Sequence, residues 1–220
     1  MSDLDERQDN PFRIERDAVP VAYRLRIEPD LTESTFDGTV DIDIELTTPT
    51  SKIILNAVEL DFDEVMIHLG DHSVPSESIV FDETYETATI EFAAVLAPGR
   101  ATLSIKFHGV LNEQLHGFYR STYEDTNGQQ RSIATTQFAP TDARRAFPCW
   151  DDPARKATFQ LTLVIPSDLA AFSNTSEISS TLLDDGRREI SFAAVVVDPT
   201  QRLVPRRQYR SVQFVDGELR

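Results

Sequence analysis

The 220 residues carry 21 Lys and Arg against 37 Asp and Glu, a formal net charge of −16, with 40% hydrophobic and 26% charged residues. This is ordinary globular composition, in a chain long enough to bury a core without disulfide or metal staples. The charge disfavours phosphate backbones and anionic membranes, no stretch nears the roughly 20 apolar residues of a spanning helix, and the single cysteine, Cys149, excludes an internal disulfide or a multi-cysteine zinc site.

The charge is unevenly placed: residues 1–100 hold 23 acids and 7 bases, and residues 101–220 hold 14 of each. Residues 1–10 read as a flexible acidic N-terminus without the basic-then-apolar pattern of a secretory signal, so the expected setting is cytoplasmic. From Tyr23 the chain alternates with period two. Tyr23-Arg24-Leu25-Arg26-Ile27 places Tyr23, Leu25 and Ile27 on one face. Asp37-Gly38 reads as a turn, after which Val40, Ile42, Ile44 and Leu46 alternate with Asp41, Asp43 and Glu45. Shorter alternations follow around Ile53–Leu55 and at Ala88–Phe92, and a longer one at Leu103–Phe107. Turn signals fall between them at Pro29-Asp30, Thr48-Pro49, Leu69-Gly70-Asp71, Pro98-Gly99, Asn127-Gly128 and Asp185-Gly186. Phe159–Ile165 gives a last clear strand. The pattern predicts an all-β antiparallel sheet or sandwich, with the early acids on its wet face and in its turns.

Gln130–Ala157 breaks the alternation. It is dense in Pro, Arg, Asp and aromatics and contains the lone Cys149 and the lone Trp150. Thr141 or Asp142 is placed to cap a short helical turn through Ala143–Ala146 that Pro148 stops. Arg144 and Arg145 lie close in sequence to Asp142, Asp151 and Asp152, so paired, partly buried contacts are expected. The segment reads either as a functional loop or as an internal brace holding a long connection against the sheet.

Searches for chemistry return little. His68 and His72 have the i, i+4 spacing of a zinc helix, but Leu69 stands where the general-base Glu would be and Gly70-Asp71 signals a turn, so two exposed hairpin histidines are expected. Cys149 between Pro148 and Trp150 is expected to be buried and inert. No G-x-S-x-G elbow, phosphate loop or dinucleotide fingerprint occurs. The residues alone show no complete catalytic apparatus.

The same unusual segment carries a resemblance. G-F-Y-R-S at Gly117–Ser121, T-Q-F at Thr136–Phe138, D-A-R-R-A-F-P-C-W-D-D-P at Asp142–Pro153 and K-A-T-F at Lys156–Phe159 resemble the N-terminal domain of the aminopeptidase N family of zinc metallopeptidases. Upstream, Y-R-L-R-I-E-P at Tyr23–Pro29, F-D-G-T-V at Phe36–Val40 and F-H-G-V-L-N at Phe107–Asn112 fit the same domain. The resemblance spans roughly residues 11–192, and residues 193–220 form a divergent tail such as a gene fragment or a shifted reading frame would produce.

This resemblance implies a saddle-shaped all-β domain packed against a thermolysin-like catalytic domain. The family's H-E-x-x-H zinc motif and G-A-M-E-N-like segment belong to that catalytic domain, and neither occurs in the 220 residues. The implied cofactor is therefore zinc held elsewhere, with none in this chain. The family's T-Q-x-E loop reaches the active site; Gln137 matches its Gln, and Ala139 stands at the position of the Glu that binds the substrate's free amino group. Asp152 replaces the Glu of the usual D-E-P, and Asp142, Arg144, Arg145, Asp151 and Asp152 are expected to act as structural braces. Two readings follow. One is the substrate-side scaffold domain of a zinc aminopeptidase, inactive alone, meeting peptide only within the full enzyme. The other is a stand-alone non-catalytic module whose partner is another protein surface, with an exposed patch that includes Phe138, Phe147 or Trp150.

Overall fold

The computed structural model describes Ile14, residues 16–196 and the backbone of residues 213–216. The expected flexible N-terminus and most of the divergent tail lie outside the described residues. Sixteen strands are described: β1 Ala18–Asp30, β2 Thr35–Leu46, β3 Thr50–Asn56, β4 Leu60–Leu69, β5 His72–Pro75, β6 Ser78–Asp82, β7 Thr87–Leu96 and β8 Gly99–Val110 in the first half. The second half adds β9 Gly117–Glu124, β10 Gln130–Gln137, β11 Thr158–Pro166, β12 Leu169–Phe172, β13 Glu177–Leu182, β14 Arg187–Phe192, β15 Val195–Val196 and β16 Gln213–Asp216. The helical element among the described residues is the single 3-10 turn Ala143–Arg145.

The strands form three sheets. The largest has the order β13-β14-β11-β1-β2-β8-β4-β5, with β15 also paired to β11; the others are β12-β16-β10-β9 and β3-β7-β6. The predicted all-β class holds. The purely antiparallel expectation does not, because β1 and β11 pair in parallel, Ala22 opposite Thr158 through Ile27 opposite Leu163. Alternation reveals which face of a strand is buried; it carries no information about the direction of a partner more than a hundred residues away.

One buried cluster draws on all three sheets: Val40, Ile42, Leu103 and Ile105 from the large sheet, Ile53, Leu55 and Ile90 from β3 and β7, Phe118 and Ala134 from β9 and β10. The alternating acids of β2 point away from it. Asp43 takes both Arg24 (2.6 and 2.8 Å) and the Thr102 hydroxyl (2.8 Å), which holds its carboxyl below the ordinary carboxylate range, Arg24 being the main cause. Asp41 accepts from the Ser104 hydroxyl at 2.6 Å. These acids serve a polar ladder across the wet face of the sheet.

Asp37-Gly38 is not a turn. Both residues lie inside β2, and Gly38 sits directly opposite Phe107 of β8, whose ring covers it. A Cβ at Gly38 would lie 2.4 Å from the Phe107 ring; one at Gly109 would lie 2.6 Å from the ring of Phe36, its own cross-strand partner. Each glycine is thus the floor for an aromatic ring on the neighbouring strand, and the two rings meet edge to face at 6.5 Å.

Candidate functional site

The site begins at the open end of the β9–β10 hairpin, where Gln137 pairs with Gly117. Gly117 has φ +67°, and a Cβ there would stand 2.7 Å from Arg145 Cβ, so both backbone conformation and close approach require glycine. Gln137 ends β10 half-buried, and its amide makes one long contact, 3.5 Å, to the Ala139 carbonyl. Ala139 is exposed and joined to Pro140 by a cis peptide bond. Phe138 turns inward, its ring edge-on to Phe147 at 5.9 Å, and its carbonyl accepts the Asp142 N–H at 2.9 Å.

The predicted helical turn is present, but Asp142 does not cap it with its side chain. The carboxylate is used elsewhere: it accepts from Arg145 Nε at 3.3 Å and lies 3.6 Å from His116 Nδ1. Arg144 points inward, 8% exposed. Its Nε donates to Asp151 at 3.1 Å and its Nη1 to Glu86 at 2.9 Å. Arg145 reaches Glu59 at 2.8 Å and comes within 3.9 Å of Glu86. Asp152 makes a different contact: its carboxylate accepts the Ala154 N–H at 2.8 Å, closing the turn around Pro153. Burial raises the Asp151 carboxyl above its usual range, and Arg144 pulls it back only partly.

Backbone stitches fix the rest of the segment. Asn56 and Cys149 exchange both backbone hydrogen bonds (2.7 and 3.1 Å), and the Asn56 side chain accepts the Asp151 N–H at 3.1 Å. The Trp150 N–H donates to the Tyr23 hydroxyl at 3.2 Å, and burial pushes that phenol well above its ordinary range. Sequence reasoning missed Glu59, Glu86, Asn56 and Tyr23. Both glutamates sit in turns with φ +55° and look in sequence like solvent-facing residues; the inward parity of Tyr23 was the one available signal. Phe147 and Trp150 are buried and Phe138 is half-buried, so these aromatics do not form the exposed patch expected of a stand-alone module. Their rings are consumed by packing, Phe147 lying edge-on to Tyr23 and Phe159 at 6.3 Å each.

Cys149 is buried and forms no disulfide. His68 and His72 fall on the facing strands of the β4–β5 hairpin; His72 is exposed, and His68 is half-buried between the hydroxyls of Ser73 (2.7 Å) and Ser104 (3.1 Å). Among the described residues, no group of three or more His, Cys, Asp or Glu is arranged to hold a metal ion. No described helix is long and apolar enough to cross a membrane.

The described residues form an all-β domain whose most specified loop is braced by the buried Arg144 and the half-buried Arg145, with Gln137 at its rim. Residues 19–201 match the Peptidase M1 N-terminal domain, and the chain belongs to that family. It is 43% identical over 175 residues to "Aminopeptidase M1" of Arabidopsis thaliana, covering 78% of this chain and 20% of the relative. It is 36% identical over 205 residues to "Puromycin-sensitive aminopeptidase" of Caenorhabditis elegans, covering 92% of this chain and 21% of the relative. "Aminopeptidase 2" of Candida albicans matches at 37% over 202 residues, 91% of this chain and 20% of the relative. The chain thus spans about a fifth of the length of these relatives.

Proposed function

We propose that this chain is the substrate-side scaffold domain of a zinc aminopeptidase, acting on the N-terminal residue of peptides only together with a thermolysin-like catalytic domain that holds the metal. Zinc there would activate water and polarise the scissile carbonyl; this chain's part is to present a fixed loop to the substrate. The observation that carries the reading is the rim itself. Gln137 ends a strand with its amide tied by one long contact, beside the exposed Ala139, while Asp142, Arg144 and Arg145 anchor the following residues. Gln137 is the proposed substrate contact, and Asp142, Arg144, Arg145 and Asp151 hold its loop. The lone Cys149 suits the reducing, cytoplasmic setting proposed with it.

Ala139 sets this chain apart from the motif it resembles, because a methyl group offers no acceptor to an ammonium ion. The test is a chimera in which residues 19–196 replace the matching segment of the Arabidopsis relative. Its zinc-dependent hydrolysis of aminoacyl anilides is expected to show a high KM. Ala139→Glu is expected to lower KM on the order of tenfold, the worth of one charge-assisted hydrogen bond, and Gln137→Ala to raise it. A KM unmoved by either substitution would sink the reading. The 220-residue chain by itself is expected to release no amino acid from the same substrates; zinc-dependent release by the purified chain would overturn the scaffold role.

A further inference from the structure

Trp150 is the one tryptophan in the sequence and is 4% exposed. Its backbone N–H is satisfied by Tyr23, but its indole Nε1–H is buried and meets no acceptor among the described residues. More than nine in ten buried polar groups are paired, and an orphaned donor forfeits the hydrogen bond it makes with water in the unfolded chain. Trp150 also forms part of the wall of a cavity of about 10 Å³, shared with Ile14, Ala18, Ile53, Asp17 and Lys52. That volume is about the minimum that holds one water molecule.

The polar groups on the wall complete the case. Asp17 gives one carboxylate oxygen to the Thr48 hydroxyl at 2.9 Å and has lone pairs left over. Lys52 brings a cation. A bare anion is disfavoured by Asp17, and a cation by Lys52 and the indole donor. A water serves both the indole and the carboxylate, accepting from Trp150 and donating to Asp17, while Lys52, exposed on β3, lies at the solvent side of the wall.

We propose that this cavity is a structural water site, in which one water molecule bridges the Trp150 indole N–H to the Asp17 carboxylate. The bridge joins two separate parts of the chain, the residue just before β1 and the segment that carries Cys149 and Asp151, against a wall formed by β3. It is independent of the aminopeptidase reading, since it concerns the packing beneath the loop rather than the substrate.

Because Trp150 is unique, its indole proton gives a single assignable NMR signal in the full chain. The expected result is a direct NOE from that proton to a long-lived water, together with a crystallographic water about 2.9 Å from Nε1. Asp17→Ala, a substitution at a half-buried site, is expected to remove the water NOE and speed exchange of the indole proton while leaving the fold intact by circular dichroism. An indole proton that shows no water NOE in the wild-type chain, or one whose NOEs identify a protein carbonyl or side chain as the acceptor, overturns the proposal.

Discussion

Arg144→Met is expected to lower the thermal midpoint of the chain by about 6–20 °C. The guanidinium is the shared partner of Asp151 and Glu86, and the Arg144 and Asp151 side chains are only 10% and 14% exposed. Removing one member of a buried pair strands the other, at a cost of about 3–5 kcal/mol, and each kcal/mol moves the midpoint of a domain this size by about 2–4 °C. The loss has a pH signature. Burial already raises the Asp151 carboxyl in the folded chain, and without Arg144 it rises further. A carboxyl whose folded pKa lies above its unfolded value favours the fold when protonated, and that contribution is lost as pH rises through the folded pKa. The variant should therefore lie closest to wild type in mild acid and furthest from it at neutral pH. Asp151→Asn added to Arg144→Met should recover part of the loss. Thermal unfolding followed across pH checks both points, and a pH-independent deficit would remove Asp151 from the explanation.

Gly38→Val is expected to destabilise the chain by the opposite route. The new Cβ would enter the Phe107 ring, with three ring atoms at 2.4, 2.7 and 2.9 Å. The ring has nowhere to retreat, because Phe107 is fully buried and meets Phe36, which in turn packs on Phe118 at 5.0 Å. Overpacking a filled core costs about 1–3 kcal/mol, which for a domain of this size is a fall of about 2–12 °C in the midpoint. Gly38→Ala should show a smaller loss, and Phe107→Leu should partly rescue Gly38→Ala while destabilising the wild type. A Gly38→Val chain that unfolds within about 2 °C of wild type, less than 1 kcal/mol for a domain of this size, would show that the strands separate more readily than their packing implies.

Much of the fold was legible in the sequence. Val40, Ile42, Ile44 and Leu46 alternate without error, and all four are buried on one face. The same reading mistook Gly38 for a turn residue, because Asp-Gly signals a turn only where the backbone reverses; here the glycine exists to be covered by a ring. The loop around Gln137 was visible as a motif, but its aromatics, offered as an exposed patch, are taken into the packing. The brace was half visible. Asp142 and Asp151 lie within seven residues of Arg144, whereas Glu86 lies 58 residues away in a turn that local pattern assigns to solvent. Ion pairs across such distances depend on how sheets stack, which alternation does not encode.

The parallel pairing of β1 with β11 has a consequence for synthesis. β2 follows β1 at once and covers one of its edges, but the other edge waits for a strand that begins 128 residues after β1 ends. At about 5–20 residues per second, the nascent chain carries an open, partly apolar strand edge for roughly 6–26 s. A ribosome-bound chain halted at residue 150 is expected to crosslink to chaperones through β1, and one halted far enough on to release β11 is not; equal crosslinking of the two would show that something else shields the edge. The strand that covers the second edge of β1 is thus made late, and it passes the open edge of the sheet on to β14, which follows within about thirty residues.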